Sequence, residues 1–386
     1  MLTSPPLETD SCRLIVGDSE HNADMLYAVG VMVPDPFVWM RTNSETLVVV
    51  SGMEVNRVRA TVPSEVTVLS RRDAAKRCGL EPSANPPLTR LLPHLLSQVG
   101  CIRCRVPKDF PVYLADALRS PNVEVTVDTP FFPQRASKTH FEIEAVRDAV
   151  ELAEAGLQHA LNILEQSEIR ADRRLTWSGD TSAVLTAEVL QGEINAQIAR
   201  LGGAAGHTIT ACGVQGADPH LAGTGPLTAG EPIVIDIFPR MNRTGYHGDL
   251  TRTVVKGTAT ERVRAAFRAV YQAQADAINA AGPGIPVRDV HRAAAAAIKN
   301  AGFDTDATCS PPHGFIHGTG HGLGLQVHED PRVSDTDGTL EKGHVITIEP
   351  GIYQPEWGGV RLEDVIAVTK DGAVNLTTAK KVLEIC

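Results

Sequence analysis

Two strand-like runs in the C-terminal half of this 386-residue chain finish on a carboxylate: Ile233-Val234-Ile235-Asp236 and Val345-Ile346-Thr347-Ile348-Glu349. Each is answered further along by a second carboxylate, Asp249 and Glu363. β-Branched apolar runs belong in buried sheet, where a carboxylate is costly unless it is paired or binds a cation. Asp236 and Asp249 stand thirteen residues apart with Pro239, Gly245 and Gly248 between them; Glu349 and Glu363 stand fourteen apart around Pro350-Gly351 and Gly358-Gly359. Both spacings predict a hairpin that presents its two side chains to one point. Any one of these carboxylates alone would read as a cap or a surface residue. A histidine- and glycine-rich stretch follows the same logic: His317, His321 and His328 occur at spacings of four and seven with glycines interleaved. Glycine lets the backbone crowd a ligand, and an imidazole can offer a ring nitrogen to a cation.

Four carboxylates and one imidazole make an oxygen-rich set whose four negative charges balance two divalent metal ions. Carboxylates favour manganese, magnesium or calcium, and the imidazole moves the preference towards manganese, cobalt, iron or zinc, so manganese leads. Two such ions held close together can activate a shared water and polarise a carbonyl. That is hydrolytic chemistry.

The length predicts two domains and a core large enough to need no staples. A net charge of −10 and 4% aromatic residues exclude the basic, stacking surface of a nucleic-acid binder. No apolar run approaches membrane-spanning length, and Met1 to Arg13 holds no apolar segment of signal length. A cytoplasmic protein without membrane partners is expected. Seven scattered cysteines fit reduced thiols better than a disulfide framework. Cys101-Ile-Arg-Cys104 reads as part of a short strand, which would send the two thiols to opposite faces.

Along the first third, strand-like runs at Arg13–Val16, Thr46–Val50, Val66–Leu69 and Val123–Val127 alternate with helical patterns at 52–62, 87–99 and 109–119, which predicts an α/β domain over residues 1–133. Thr129-Pro-Phe-Phe-Pro133 reads as a linker. A second domain over 134–386 then shows the same order twice: helices at 141–165 and 182–201 before the strands around Asp236 and Asp249, and helices at 261–281 and 287–301 before those around Glu349 and Glu363. Thr258 with Glu261 has capping-box spacing, and Gly302 serves as a helix stop. The expected fold class is α+β, with two halves about a pseudo-twofold axis on which the carboxylates converge.

Ile-Asp236, Gly-Asp249-Leu-Thr-Arg-Thr, Gly-His321-Gly-Leu-Gly-Leu-Gln-Val-His328-Glu, Glu349-Pro-Gly-Ile-Tyr and Val-Arg361-Leu-Glu363-Asp together resemble the pita-bread metallopeptidases, above all the proline-specific dipeptidases (prolidases) and Xaa-Pro aminopeptidases. Asn22-Ala-Asp-Met-Leu-Tyr27 and the α/β alternation resemble the creatinase-like N-terminal domain of the same family. The resemblance implies that Asp236 binds one metal, that Asp249 and Glu363 bridge both, and that His321 and Glu349 complete the other site. It implies that Glu349 also acts as general acid and base. His220, in Gly216-Ala-Asp-Pro-His220, matches a histidine near the substrate amide, and His328 matches one that stabilises the tetrahedral intermediate. His317 and Arg361 match positions lining the pocket for proline or its carboxylate. The turn between Asp236 and Asp249 is about two residues longer than the family pattern, so an altered loop with its ligands retained is expected.

The implied partner is a small peptide with proline at its second position, and relatives of this kind are often homodimers. Proline lacks an amide hydrogen and fixes its torsion, so a dedicated pocket must place the bond before it. Three other readings compete. A methionine aminopeptidase typically lacks a preceding α/β domain; a creatinase-like C–N hydrolase works without metal; and a non-catalytic binding protein on the same scaffold has no use for clustered, mutually repelling carboxylates.

Overall fold

A computed structural model of the protein describes residues 7–81, 86–177 and 179–386; the first six residues of the Met1–Arg13 segment lie outside them. The chain divides into two compact units, Met1–Arg135 and Ala136–Cys386.

In the first unit six strands form one mixed sheet in the order Val66–Ser70, Thr46–Val50, Phe37–Arg41, Ser11–Gly17, Arg103–Pro107 and Glu124–Asp128. The pairs flanking Phe37–Arg41 are antiparallel and the others parallel. The three helical patterns read from sequence condense to Val55–Thr61, Leu88–Gln98 and Val112–Leu118. The Leu88–Gln98 helix lays Leu91, Leu92, Leu95 and Leu96 against the sheet side that carries Leu14 and Val16, the apolar stripe an amphipathic helix needs. The expected opposition of Cys101 and Cys104 fails. Cys101 precedes the strand rather than belonging to it, and both cysteines are buried in that same cluster.

The second unit holds two antiparallel sheets, each backed by two helices. The first runs Ile209–Cys212, Ile233–Ile237 and Leu250–Lys256, with Glu384–Ile385 added in parallel at its edge. It packs on the helices His140–Gln166 and Ala187–Arg200 through Leu157, Ile163, Leu190, Ile194 and Ile235. The second sheet is ordered Glu329–Val333, Gly320–Gly322, Val345–Ile348, Asp364–Thr369 and Gly372–Asn375, and packs on Glu261–Ala280 and Val287–Asn300 through Val263, Val270, Val290, Ile298, Ile346 and Ile366. Among the described residues no helix is long and apolar enough to cross a membrane.

Two local expectations need correction. The helix expected over 182–201 begins at Ala187, because Asp180–Val184 pairs as a strand with Thr176–Trp177 and Thr186 then caps the helix through Val189 N. The cap of the next helix is Thr260 rather than Thr258: its hydroxyl accepts from Val263 N at 3.3 Å. A threonine competes for a helix end through its nearest free amide, and Thr260 stands immediately before the first turn.

Candidate metal centre

The pleat brings the first two carboxylates together. Asp236 lies in Ile233–Ile237 opposite Thr251, and Ile237 faces Leu250, so Asp249, two residues before Thr251, points to the same face. The second pair is aligned more directly: Ile348 opposes Asp364, which sets Glu349 opposite Glu363 just beyond the strand ends, whereas Asp249 is two residues out of line with Asp236. His321 sits in the neighbouring strand Gly320–Gly322, where a Cβ on Gly320 would come within 1.9 Å of the Thr347 carbonyl. Only glycine allows that approach.

Ligand atoms of Asp249, His321 and Glu363 all lie within 4.8 Å of one another. His321 Nε2 is 3.4 Å from Glu349 Oε1 and 3.7 Å from Asp249 Oδ2. The His321 Nδ1–H donates to the Gly322 carbonyl at 3.0 Å, which leaves Nε2 as a bare lone pair directed at the carboxylates. Thr251 Oγ1 donates to Glu363 Oε2 at 2.8 Å, and Arg361 Nη2 donates to Asp236 Oδ2 at 2.7 Å. The other Asp236 oxygen, Oδ1, is buried without a hydrogen-bond partner among the described residues.

Burial dominates the electrostatics of the cluster. Burial pushes the Asp249 carboxyl well above its usual range, and Asp236 and Glu349 push it further. Burial likewise raises Glu363, with Asp249 and Glu349 adding to the effect. Glu349 is raised to about 8 by burial, with Arg361 opposing and Asp236 reinforcing the shift. Burial lowers His321 to about 4, the neutral form a cation requires. A hard divalent ion supplies what the orphaned Asp236 oxygen and the repelling carboxylates lack, so the donor set fits the metals expected from it.

The remaining site residues named from sequence surround this cluster. The His328 ring stands 4.4 Å from that of His321, nearly perpendicular to it. His220 is exposed, its amide bound to Asp218 Oδ1 at 2.9 Å, and it is close enough to His317 and His328 to depress the pKa of both, after burial and an arginine in each case. His317 Nδ1–H donates to Gly318 O at 2.7 Å, so its Nε2 accepts from the Tyr353 hydroxyl at 2.8 Å. That hydroxyl accepts in turn from Arg361 Nη1 at 2.9 Å, while Arg361 Nε reaches Thr251 Oγ1 at 3.1 Å. Arg361 is buried and its guanidinium is committed to Asp236, Tyr353 and Thr251.

Sequence reasoning missed two members of this assembly. Tyr353, fully buried and raised to about 12 chiefly by burial, links His317 to Arg361; its only signal was its place in Glu349-Pro-Gly-Ile-Tyr, four residues past a ligand. Thr251 holds both Glu363 and Arg361, and alternation from Asp249 along the strand would have found it.

Residues 144–370 match the model of metallopeptidase family M24. The chain is 36% identical over 254 residues to the Xaa-Pro dipeptidase of Pyrococcus furiosus, a stretch covering 64% of this chain and 65% of that one, slightly under two thirds of its length. The whole chain also superposes on solved structures. A prolidase from Pyrococcus horikoshii gives a TM-score of 0.76 at 25% identity over 97% of this chain and 95% of that one. An Xaa-Pro dipeptidase from Bacillus anthracis gives 0.80 at 21% identity over 97% and 95%. The second unit thus has the pita-bread fold, and the chain belongs to metallopeptidase family M24.

Proposed function

We propose that the protein is an exopeptidase that hydrolyses the peptide bond preceding proline with the help of two divalent cations, manganese foremost, held by Asp236, Asp249, His321, Glu349 and Glu363. The observation that carries this reading is the buried meeting of Asp249, His321 and Glu363 beside Glu349, with Asp236 leaving one oxygen unpartnered. The resemblance to proteins named Xaa-Pro dipeptidase supports the substrate class.

When bound, the ions supply Lewis acidity towards the scissile carbonyl and the attacking water. The chain supplies the rest. Asp249 and Glu363 would hold both ions, and the Thr251 hydroxyl orients Glu363 by donating to its Oε2. Glu349 accepts and returns the proton, a role suited to a carboxyl whose basicity burial has increased. His328 donates to the oxygen that gains charge as the carbonyl becomes tetrahedral, His220 stands near the substrate amide, and His317 bounds the proline side. Arg361, matched to the same pocket by resemblance, acts here by holding Asp236 and Tyr353 in place.

The test is to strip the protein with a chelator, verify the metal content, and follow Ala-Pro, Ala-Pro-Ala and Met-Ala-Ser with and without added manganese or cobalt. Proline-dependent turnover that vanishes and returns with metal is expected. Undiminished turnover after verified removal would favour the creatinase-like reading, and cleavage of Met-Ala-Ser alone the methionine-removing one.

A further inference from the structure

Three of the seven thiols meet in the first unit, far in sequence from the carboxylate cluster. Cys12 and Cys104 are directly opposed in the parallel strands Ser11–Gly17 and Arg103–Pro107, so their side chains leave the sheet on one face. Cys101 arrives from a turn. Gly100 adopts φ 65°, the left-handed conformation that closes the preceding helix, and Cys101 N then bonds back to Leu96 O at 2.9 Å. This folds Cys101 over the sheet and sets its Sγ 2.8 Å from Cys12 Sγ. Cys12 is 0% exposed and Cys101 3%, within a cluster of Leu14, Val16, Leu91, Leu95 and Leu96. The polar partners of the two sulfurs are each other, the Cys104 thiol beside Cys12, and the Arg103 carbonyl at 3.3 Å from Cys101.

We propose that Cys12 and Cys101 form a reversible disulfide site, closed by low-molecular-weight disulfides and reopened by thiols. The Cys101 thiolate attacks one sulfur of the incoming disulfide; that bond breaks, one small thiolate leaves, and a mixed disulfide remains on Cys101. Cys12 then gives up its proton, its sulfur attacks Cys101 Sγ, and the second small thiolate leaves. Two protein thiols are oxidised, one small disulfide is reduced to two small thiols, and these carry off the two protons.

Cys101 is the entry point because it is the less deeply buried of the two, 3% exposed against 0% for Cys12, and its chain neighbour Ile102 is 44% exposed. The Cys12 S–H also favours its thiolate, holding the Cys101 pKa down, whereas the same contacts and burial push Cys12 up. Cys104, side by side with Cys12 across the sheet, stays a thiol.

The full-length protein, reduced and then held under native conditions with 2-hydroxyethyl disulfide, is quenched, denatured and alkylated. Once mixed disulfides on accessible cysteines such as Cys386 are identified by their added mass and counted as thiols, the expected count falls from seven to five, and peptide mapping finds a Cys12–Cys101 cross-linked peptide lighter by two hydrogens. Dithiothreitol restores all seven. Because the bond closes a loop of nearly ninety residues, the melting temperature of the oxidised protein rises by on the order of 5–15 °C. Cys104→Ser should still lose two thiols, and Cys101→Ser none from this site. A native thiol count unchanged after prolonged exposure, or a cross-link mapped to any other pair, including one between chains through Cys386, overturns the proposal; the mapping on the unaltered protein decides the matter even if a variant folds poorly.

Discussion

The Asp236/Asp249 pair and the Glu349/Glu363 pair occupy equivalent places in the two sheets of the second unit, yet the chain between their members differs. Between the aspartates runs a short excursion in which Arg240–Met241 pairs with Gly203–Ala204, and Gly248 passes so close to the first long helix that a Cβ would lie 2.2 Å from Ala149 O. Between the glutamates the chain builds a separate two-stranded ribbon, Gly351–Gln354 with Gly358–Arg361. That ribbon carries Tyr353 and Arg361 back to Asp236, while the aspartate sheet sends Thr251 across to Glu363. Each half thus holds a carboxylate of the other in place. The asymmetry also sorts the charges. Asp236 has an arginine, whereas among the described residues Asp249 and Glu349 pair only with the neutral-leaning His321, and Glu363 with no cationic side chain.

The largest effect is expected where that imbalance is greatest. Asp249→Ala should lower turnover of Ala-Pro by at least about 10³-fold and abolish stoichiometric metal binding, because in the proposed site this carboxylate would serve both ions and water could not replace it. The same variant relieves a buried, repelled charge, so the metal-free protein should melt no lower than the unaltered metal-free protein, while the stabilisation that metal confers disappears. Two ions per chain in the variant, measured by elemental analysis, would remove Asp249 from the site.

How much of this was written in the sequence depends on how local the signal is. The five candidate positions stood out in the sequence because each interrupts a pattern: a charge closing a β-branched run, or a histidine between glycines that are there for backbone approach; the structure gathers Asp249, His321 and Glu363 within 4.8 Å. The doubled order of helices and strands was legible for the same reason. The long-range charge compensation was not. Arg252 looks like an outward-facing residue in Leu-Thr-Arg-Thr, but it is buried against Asp364 Oδ1 at 2.8 Å and donates to the Glu363 carbonyl at 2.6 Å, fixing the strand that follows the last ligand. Its partner is 112 residues away, and no periodicity connects them. The thiol contact was hidden by a turn: strand alternation predicts opposite faces for Cys101 and Cys104 only if both belong to the strand, and a left-handed glycine takes Cys101 out of it.

Arg361 tests whether the two halves depend on each other as the ribbon indicates. Arg361→Ala leaves the partly buried Asp236 without its arginine and removes the bonds to Tyr353 and Thr251, so kcat/KM should fall by about 10²–10³-fold with weaker metal retention. Arg361→Lys should recover little of this, since one ammonium cannot reach Asp236, Tyr353 and Thr251 together. Full recovery by lysine, read from the same kinetics and metal content, would reduce the role of the ribbon to simple charge balance.

The smallest effect belongs to Tyr353, where only a hydroxyl is in question. Tyr353→Phe preserves the buried ring and removes the oxygen that accepts from Arg361 and donates to His317. Arg361 keeps Asp236 and Thr251, so the metal content should be unchanged, and the two hydrogen bonds lost, at about 0.5–1.5 kcal/mol each, predict a fall in kcat/KM of roughly 5–100-fold. Because His317 lies on the proline side in the proposed arrangement, the loss should appear mainly in KM and should be larger for Ala-Pro than for a substrate cleaved without proline. A fall confined to kcat, or one accompanied by metal loss, would instead place the hydroxyl in the service of Asp236 and make the ribbon a single rigid support for the first carboxylate pair.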